Sequence, residues 1–352
     1  MRRILALNPG ATSTKIAVFD GAEVVLKATV EHQGASLDGF QRVIDQFQYR
    51  LDLILEALAA AKLDLGSLSA VVGRGGLLKP MEGGTYAVNA AMLADLEHAR
   101  EHASNLGAIL ADRLAGSLGI PAFIVDPVSV DEMEPEARIS GLPDLPRLSF
   151  SHALNSKAVA RRVAAQLGRS YFHCNFVVAH LGTGISVTAH RKGRMVDVNG
   201  AEEEGPFSPA RSAGLPSLSL VKLVYSGRYT QKEMLGRMVG NGGLYAHLGT
   251  RDVREAERRA AEGDAQAALV LKAMAYKVAK EIGAMAAVLA GQVDRVIITG
   301  GIAYSEKLVA EVSSRVGFIA PILVLPGEEE LEALAEGALR VLDGQEPAKI
   351  YT

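Results

Sequence analysis

Leu7-Asn8-Pro9-Gly10-Ala11-Thr12-Ser13-Thr14-Lys15 is the stretch that decides how this chain is read. It is a turn of small and polar residues set between two apolar runs, Ile4–Leu7 and Lys15–Phe19. Asp20-Gly21 follows as a hairpin signal, and Val24–Val30 reads as a third strand. The pattern returns later. Phe176–Ala179 is apolar, His180-Leu181-Gly182-Thr183-Gly184 is a turn, and Ile185–Ala189 is a strand. Lys192-Gly193 then turns the chain into Met195–Val198. A second element also recurs. Ala70–Val72 leads into Gly73-Arg74-Gly75-Gly76, and Val296–Ile298 leads into Thr299-Gly300-Gly301. Two halves that each open on a three-strand meander, and each carry a later strand ending in paired glycines, point to a duplicated α/β domain with a cleft between the copies.

The remaining segments fit that plan. Residues 37–63 carry Phe40, Val43, Ile44, Phe47, Leu51, Ile54, Leu55 and Leu58 at helical spacing. The same period predicts helices over 89–118, 155–167, 264–289 and 328–342. Strands precede helices in both halves, so mixed sheets covered by helices are expected. The Pro- and charge-rich loop around Pro143–Ser149 divides the chain into domains 1–148 and 149–330, with 331–352 folding back onto the first.

Composition bounds the function. The chain has 352 residues, which at about 150 residues per domain also means two domains. Lys plus Arg number 37 and Asp plus Glu 40, for a net charge of −3. That balance argues against a surface built to grip nucleic acid or anionic membrane. The single cysteine, Cys174, excludes an intramolecular disulfide and a cysteine-based metal site. The longest charge-free apolar run, Ile282–Val293, is too short to span a bilayer. The apolar part of the N-terminus stops at Asn8-Pro9-Gly10, too soon for a signal peptide. A cytoplasmic protein is expected.

Several residues stand out chemically. A small polar turn between strands lets backbone N–H groups approach a phosphate, and Thr12, Ser13 and Lys15 add donors. It is not a P-loop, because no glycine precedes the lysine. Gly182-Thr183-Gly184 is not a dinucleotide fingerprint, because it lies between strands and opens no helix. Three such turns (8–15, 180–184 and 299–301) at equivalent places in two half-repeats point to a nucleotide. Arg74 among glycines suits a bidentate clamp on a carboxylate or phosphate, and equally suits a surface loop. Asp126 ends the apolar run 121–125, where α/β sheets bind ligands, or simply opens the turn at Pro127. His152 stands before a helix, and Arg211 lies in the long loop after Glu202-Glu203-Glu204.

Together these residues resemble the acetokinase family, and within it the butyrate kinase branch. The carriers are Leu7–Lys15, Gly73–Leu78, His102–Gly107, Phe123–Pro127, His152–Asn155, His180–Val187, Glu204–Pro209, Gly300-Gly301 and Pro326–Glu328. They run over nearly the whole chain. Ala11 departs from the family's Ser or Thr, and Thr183 from its Asn or Gly.

The resemblance implies two ribonuclease-H-like, actin-like ATPase domains, with ATP and a short-chain carboxylic acid meeting in the cleft between them. It implies reversible phosphoryl transfer giving acyl phosphate and ADP. Arg74, Asp126, His152 and Arg211 would be catalytic. Asn8, Thr12, Ser13, Lys15, His180, Gly182, Thr183, Gly184, Gly300 and Gly301 would hold ATP/ADP. Arg74, Gly75, Gly76 and His102 would meet the acid, and Asn8, Asp126 and Glu329 would serve Mg2+. Acetate kinases carry bulky aliphatic side chains beside the equivalent arginine, so Gly75 and Gly76 imply room for a longer acid such as butyrate. Isobutyrate, propionate and acetate are the alternatives, with a sugar kinase or an actin-like binding protein further off. A homo-oligomer is implied as well, with no nucleic-acid or membrane partner.

Overall fold

Short apolar runs and apolar side chains at period 3.6 call for sheets covered by helices, and this is what forms. A computed structural model of the chain describes residues 2–352 apart from 33–36 and 38. Two compact units result: Met1–Val130 with Glu329–Thr352, and Asp131–Glu328.

In chain order, unit 1 supplies β1 (Arg3–Pro9), β2 (Ser13–Asp20), β3 (Glu23–Glu31), α1 (Phe47–Ala60), β4 (Ala70–Arg74) and β5 (Thr85–Ala87). It continues with α2 (Ala90–His98), α3 (Asn105–Leu118) and β6 (Ala122–Val125). Unit 2 supplies α4 (Ala153–Gln166), β7 (Asn175–Leu181), β8 (Ile185–Arg191) and β9 (Arg194–Val198). Then come α5 (Ser217–Val224), α6 (Gln231–Met238), α7 (Gly243–Leu248), α8 (Val253–Ala261) and α9 (Ala265–Val288). β10 (Arg295–Gly300), α10 (Glu306–Val316) and β11 (Ile322–Pro326) complete it. The chain ends back in unit 1 with α11 (Glu330–Leu342) and β12 (Lys349–Ile350).

The sheet of unit 1 runs β12-β5-β6-β4-β1-β2-β3. β1, β2 and β3 form an antiparallel meander, and β4 and β6 run parallel to β1. The C-terminal ends of three parallel strands therefore share one edge, which carries Asn8, Arg74 and Asp126. The sheet of unit 2 runs β11-β10-β7-β8-β9. β7, β8 and β9 are again an antiparallel meander, and β10 runs parallel to β7 with Thr299 opposite His180. Both units thus share one plan.

In unit 1, Leu5, Leu7, Ile16 and Val18 pack against Leu51, Ile54 and Leu58 of α1 and Leu106, Leu110 and Leu114 of α3. Each such side chain contributes roughly 2 kcal/mol on burial. Helix α11 lies against β1, β4 and β6 and buries Leu331, Leu334 and Ala338. In unit 2, Val177 and Ala179 belong to the core of α9, with Met274, Val278 and Ile282. Phe176 and Val178 pack with Val159 and Val163 of α4. β7 is buried on both faces, which is why it reads as an uninterrupted apolar run.

Some elements differ from expectation. The helix predicted over 89–118 is two helices, α2 and α3. The bend between them is braced by Asn105 Nδ2, which donates to Arg100 O, and by a His102–Ser104 side-chain contact. No glycine or proline marks the break. The helix predicted over 37–63 becomes α-helical only at Phe47, after a 3₁₀ turn over Val43–Gln46. Its residue 38 lies outside the described residues. The segment 143–149 lies inside unit 2, where Arg147 donates to Glu204, Asp197 and the Val198 carbonyl. Among the described residues no helix is long and apolar enough to cross a membrane.

Candidate active site

At the edge of unit 1, Arg74 Nη1 bonds Glu330 Oε2 at 3.1 Å and Asn8 Oδ1 at 3.3 Å. Asn8 Nδ2 donates to the same Glu330 oxygen at 2.6 Å. β1 and β4 are neighbours, so Asn8 and Arg74 come together, and α11 brings Glu330 to both. Asp126 directly follows β6 and sits in the left-handed region, with φ +38. It is buried, its Oδ1 accepts from Gly84 N–H at 2.7 Å, and its own N–H donates to Gly84 O at 3.0 Å. A non-glycine residue held in this conformation stores backbone strain, which is common where a side chain must be aimed.

The other residues of unit 1 are placed as follows. Thr12 and Lys15 are exposed and Ser13 is half-buried in the β1–β2 turn. His102 sits in the loop ahead of α3, its Nδ1 against Ser104 Oγ. Gly75 and Gly76 are buried, but the space beside them is already filled. A Cβ on Gly75 would lie 2.5 Å from Pro127 Cβ, and one on Gly76 would lie 2.4 Å from Asn105 Oδ1. These glycines allow close packing of the chain on itself and open no chamber. The run Glu328-Glu329-Glu330 divides in position. Glu330 faces Asn8 and Arg74, Glu329 begins α11 with φ +41, and Glu328 belongs to unit 2.

In unit 2 the β7–β8 turn gathers a second cluster. His152 and His180 stack with ring centroids 4.0 Å apart and planes 12° apart. Asn155 Nδ2 donates to Glu328 O at 2.7 Å, which leaves its Oδ1 as the acceptor for His180 Nδ1 at 2.8 Å. The proton on His180 is thereby assigned to Nδ1 from the hydrogen-bond network, and Nε2 lies 3.7 Å from Glu328 Oε1. His152 Nδ1 pairs with Ser186 Oγ at 2.9 Å. Ser208 Oγ donates to Thr183 O at 2.6 Å and accepts from Arg211 N–H at 3.2 Å, so the loop carrying Arg211 folds over the turn. A Cβ on Gly184 would stand 2.5 Å from Arg211 Nη1 and 3.4 Å from His152 Cε1. Glycine here lets both side chains close on the turn.

Gly182 and Thr183 also line a cavity of about 710 Å³, with Arg251, Arg254, Tyr304 and Ser305 among its other walls. That is the size of a pocket for a nucleotide-sized molecule. Gly301 lines it, and Gly300 before it has φ +91, where a Cβ would lie 2.4 Å from Leu181 O.

The oxygen donors of unit 1 suit Mg2+. This ion keeps several waters and binds through one or two carboxylates plus substrate phosphates, and Asn8 and the buried Asp126 stand at one sheet edge with Glu330. Among the described residues no three or more His, Cys, Asp or Glu form a metal-holding group.

Residues 147–319 match the Acetokinase family. The matched stretch contains His152, the 180–184 turn, Arg211 and Gly300-Gly301. Unit 1's first turn lies outside it. Three solved structures are similar over nearly the full length. The acetate kinase of Porphyromonas gingivalis has a TM-score of 0.81 at 20% identity, covering 96% of this chain and 99% of that one. The propionate kinase of Francisella tularensis has a TM-score of 0.77 at 19% identity, with the same coverages of 96% and 99%. The acetate kinase of Entamoeba histolytica has a TM-score of 0.78 at 14% identity, covering 96% of this chain and 99% of that one. At such identities the likeness is one of fold, a two-domain α/β fold.

Sequence reading left the choice among Glu328, Glu329 and Glu330 open and missed Arg251, Arg254, Tyr304 and Ser305. A helix-start signal was present at Asp252, whose side chain caps α8. Nothing local places that helix start beside Gly301.

Proposed function

We propose that this chain is a carboxylate kinase. It moves the γ-phosphoryl group of ATP onto a short-chain fatty acid, reversibly, giving acyl phosphate and ADP. The observation that carries the reading is the unit 2 cluster, where Arg211 and His152 close over Gly184 beside a nucleotide-sized cavity. An aliphatic carboxylic acid has a pKa of about 4–5, close to that of Glu, and is ionised at neutral pH. It needs no general base. The task is to hold two anions in line and neutralise the transferring group.

The roles follow from the chemistry of each side chain. The nucleotide occupies the cavity lined by Gly182, Thr183 and Gly301, with its phosphates towards the 182–184 turn. Arg211 and His152 donate to the equatorial oxygens of the phosphoryl group. With Ser186 donating to its Nδ1, His152 keeps an N–H on Nε2 for that purpose. His180 stacks behind it and fixes its plane. Arg74, oriented by Glu330 and Asn8, is the unit 1 side chain suited to clamp a carboxylate or phosphate oxygen. His102 meets the acid. Mg2+, held through Asp126, Asn8 and Glu330 or Glu329, supplies charge neutralisation when bound.

Butyrate is the acid favoured by the motif set from Gly73–Leu78 to Pro326–Glu328. The packing of Gly75 and Gly76 lends it no support. We also propose that the protein works in the cytoplasm and self-associates. Helix α5 buries none of its residues, and Leu218 and Tyr225 stand exposed.

The test is acyl phosphate formation from ATP and Mg2+, trapped with hydroxylamine, across straight and branched acids from acetate to hexanoate. A maximum at butyrate supports the full reading. A maximum at acetate or propionate keeps the kinase and removes butyrate. Phosphorylation of a sugar hydroxyl, abolished in Asp126→Asn, with no acyl phosphate from any acid, would sink it.

A further inference from the structure

Beneath the first turn lies a buried cation. Arg50, on α1, is 1% exposed. Its Nη1 donates to Gly10 O at 2.8 Å and Thr14 Oγ1 at 3.2 Å, and its Nη2 reaches Ala11 O at 3.4 Å. Nε and Nη2 both donate to Gln46 Oε1, at 3.1 and 2.7 Å. Every one of these acceptors is a neutral oxygen. Among the described residues no carboxylate pairs with Arg50. A buried charge without a counter-charge is costly, and burial does lower the Arg50 pKa. Arginine nonetheless stays protonated in proteins.

The turn above it is arranged accordingly. The Gly10 and Ala11 carbonyls point to Arg50, and Thr12 O accepts from His32 N–H at 2.8 Å. Gly10 N–H is used within the turn, on Ser13 O at 2.7 Å. The N–H groups of Ala11 and Thr12 donate to no described residue, and both residues are exposed. His32, beside Thr14, is buried, and burial together with the Arg50 charge brings its pKa down to about 4. The space under the turn therefore holds one positive charge at neutral pH.

We propose that Arg50 is a positioning residue for the phosphoryl group: it draws the Gly10 and Ala11 carbonyls inward, so that the neighbouring N–H groups face solvent, and its unmatched charge makes the turn a seat for phosphate oxygens. This rests on the reading of the turn as a phosphate site. It also gives the turn a source of affinity that does not depend on a hydroxyl at position 11.

Two variants separate the charge from the brace. Gln46→Glu keeps an acceptor for Arg50 but sets a carboxylate against it, so the fold is retained while the net charge disappears. Arg50→Lys keeps the charge but cannot fork onto two carbonyls. ATP binding is measured by calorimetry with no acid present, alongside the melting temperature and the hydroxylamine assay. Gln46→Glu is expected to melt no lower than the parent and to bind ATP on the order of ten-fold more weakly. Arg50→Lys is expected to keep ATP affinity within about three-fold and to lose about ten-fold in kcat. Unchanged ATP affinity in Gln46→Glu would reduce Arg50 to a structural brace and overturn the inference. So would a parent protein that binds no ATP. If the parent binds ATP but makes no acyl phosphate, the carboxylate reading fails while the calorimetry still decides the role of Arg50.

Discussion

The two meander turns occupy equivalent places in the two sheets and are supported in opposite ways. In unit 1 the turn between β1 and β2 is braced from below by a buried guanidinium, which takes the Gly10 and Ala11 carbonyls. In unit 2 the turn between β7 and β8 is covered from above by side chains, and Gly184 makes room for Arg211 and His152. The backbone plan is repeated, and the chemistry is not. A duplicated fold supplies two sheet edges with similar geometry. Substitution then makes one edge a cradle of oxygens and the other a cluster of imidazole and guanidinium.

Losing a group from the unit 2 turn is expected to have the largest effect. Arg211→Ala should lower acyl phosphate turnover about 100-fold or more, the usual cost of one donor to developing charge. Steady-state kinetics at saturating ATP would show it, and a kcat within about three-fold of the parent would break the contrast between the turns. In unit 1, Glu330→Gln should lower turnover by about ten-fold, because it removes the charge that orients Arg74 and Asn8. Glu329→Gln, measured in parallel, should cost less. The reverse order would return the metal-linked role to Glu329.

Two smaller effects concern stability. Gly75→Ala places a Cβ 2.5 Å from Pro127 Cβ. Overpacking of this kind costs about 1–3 kcal/mol, which a urea titration would read as a lower midpoint. The order of preference among acids should not change. If that order shifts towards acetate instead, the glycines border the acid after all. The last effect is on pH. His32 has a folded pKa of about 4 against an ordinary 6.5. As pH falls below 6.5 the unfolded chain takes up the proton first, so stability present above that value is lost down to about pH 4. His190, fully buried, is shifted in the same direction. His32→Gln should flatten part of this slope, and an unchanged slope would show that His32 is not buried in solution.

Most of the fold was legible in the sequence because its signals are local. Both meanders announced themselves through short apolar runs and the Asp20-Gly21 and Lys192-Gly193 turns. α4, α9 and α11 did so through apolar stripes. The short strands β5, β11 and β12 carry too few residues to show a period, and they exist because a neighbouring strand offers a free edge. The break between α2 and α3 has no helix-breaking residue, so only the side-chain bonds of Asn105 and His102 reveal it.

The site divides along the same line. The sequence by itself determined which residue types were available: two glycine-containing turns, Arg74, Asp126, His152, His180 and Arg211, in motifs that resemble acetokinases. It could not decide between adjacent glutamates. Glu330, and not its neighbour, reaches Asn8 across a separation of 322 residues, because α11 packs on β1 and β4 and points that side chain at the edge. It could not show that Gly75 and Gly76 are filled in by Pro127 and Asn105, or that Arg50 lies under a turn forty positions away. Periodicity and turn chemistry act over a few residues and are written locally. Which charge meets which oxygen depends on long-range packing, and only the tertiary structure decided that.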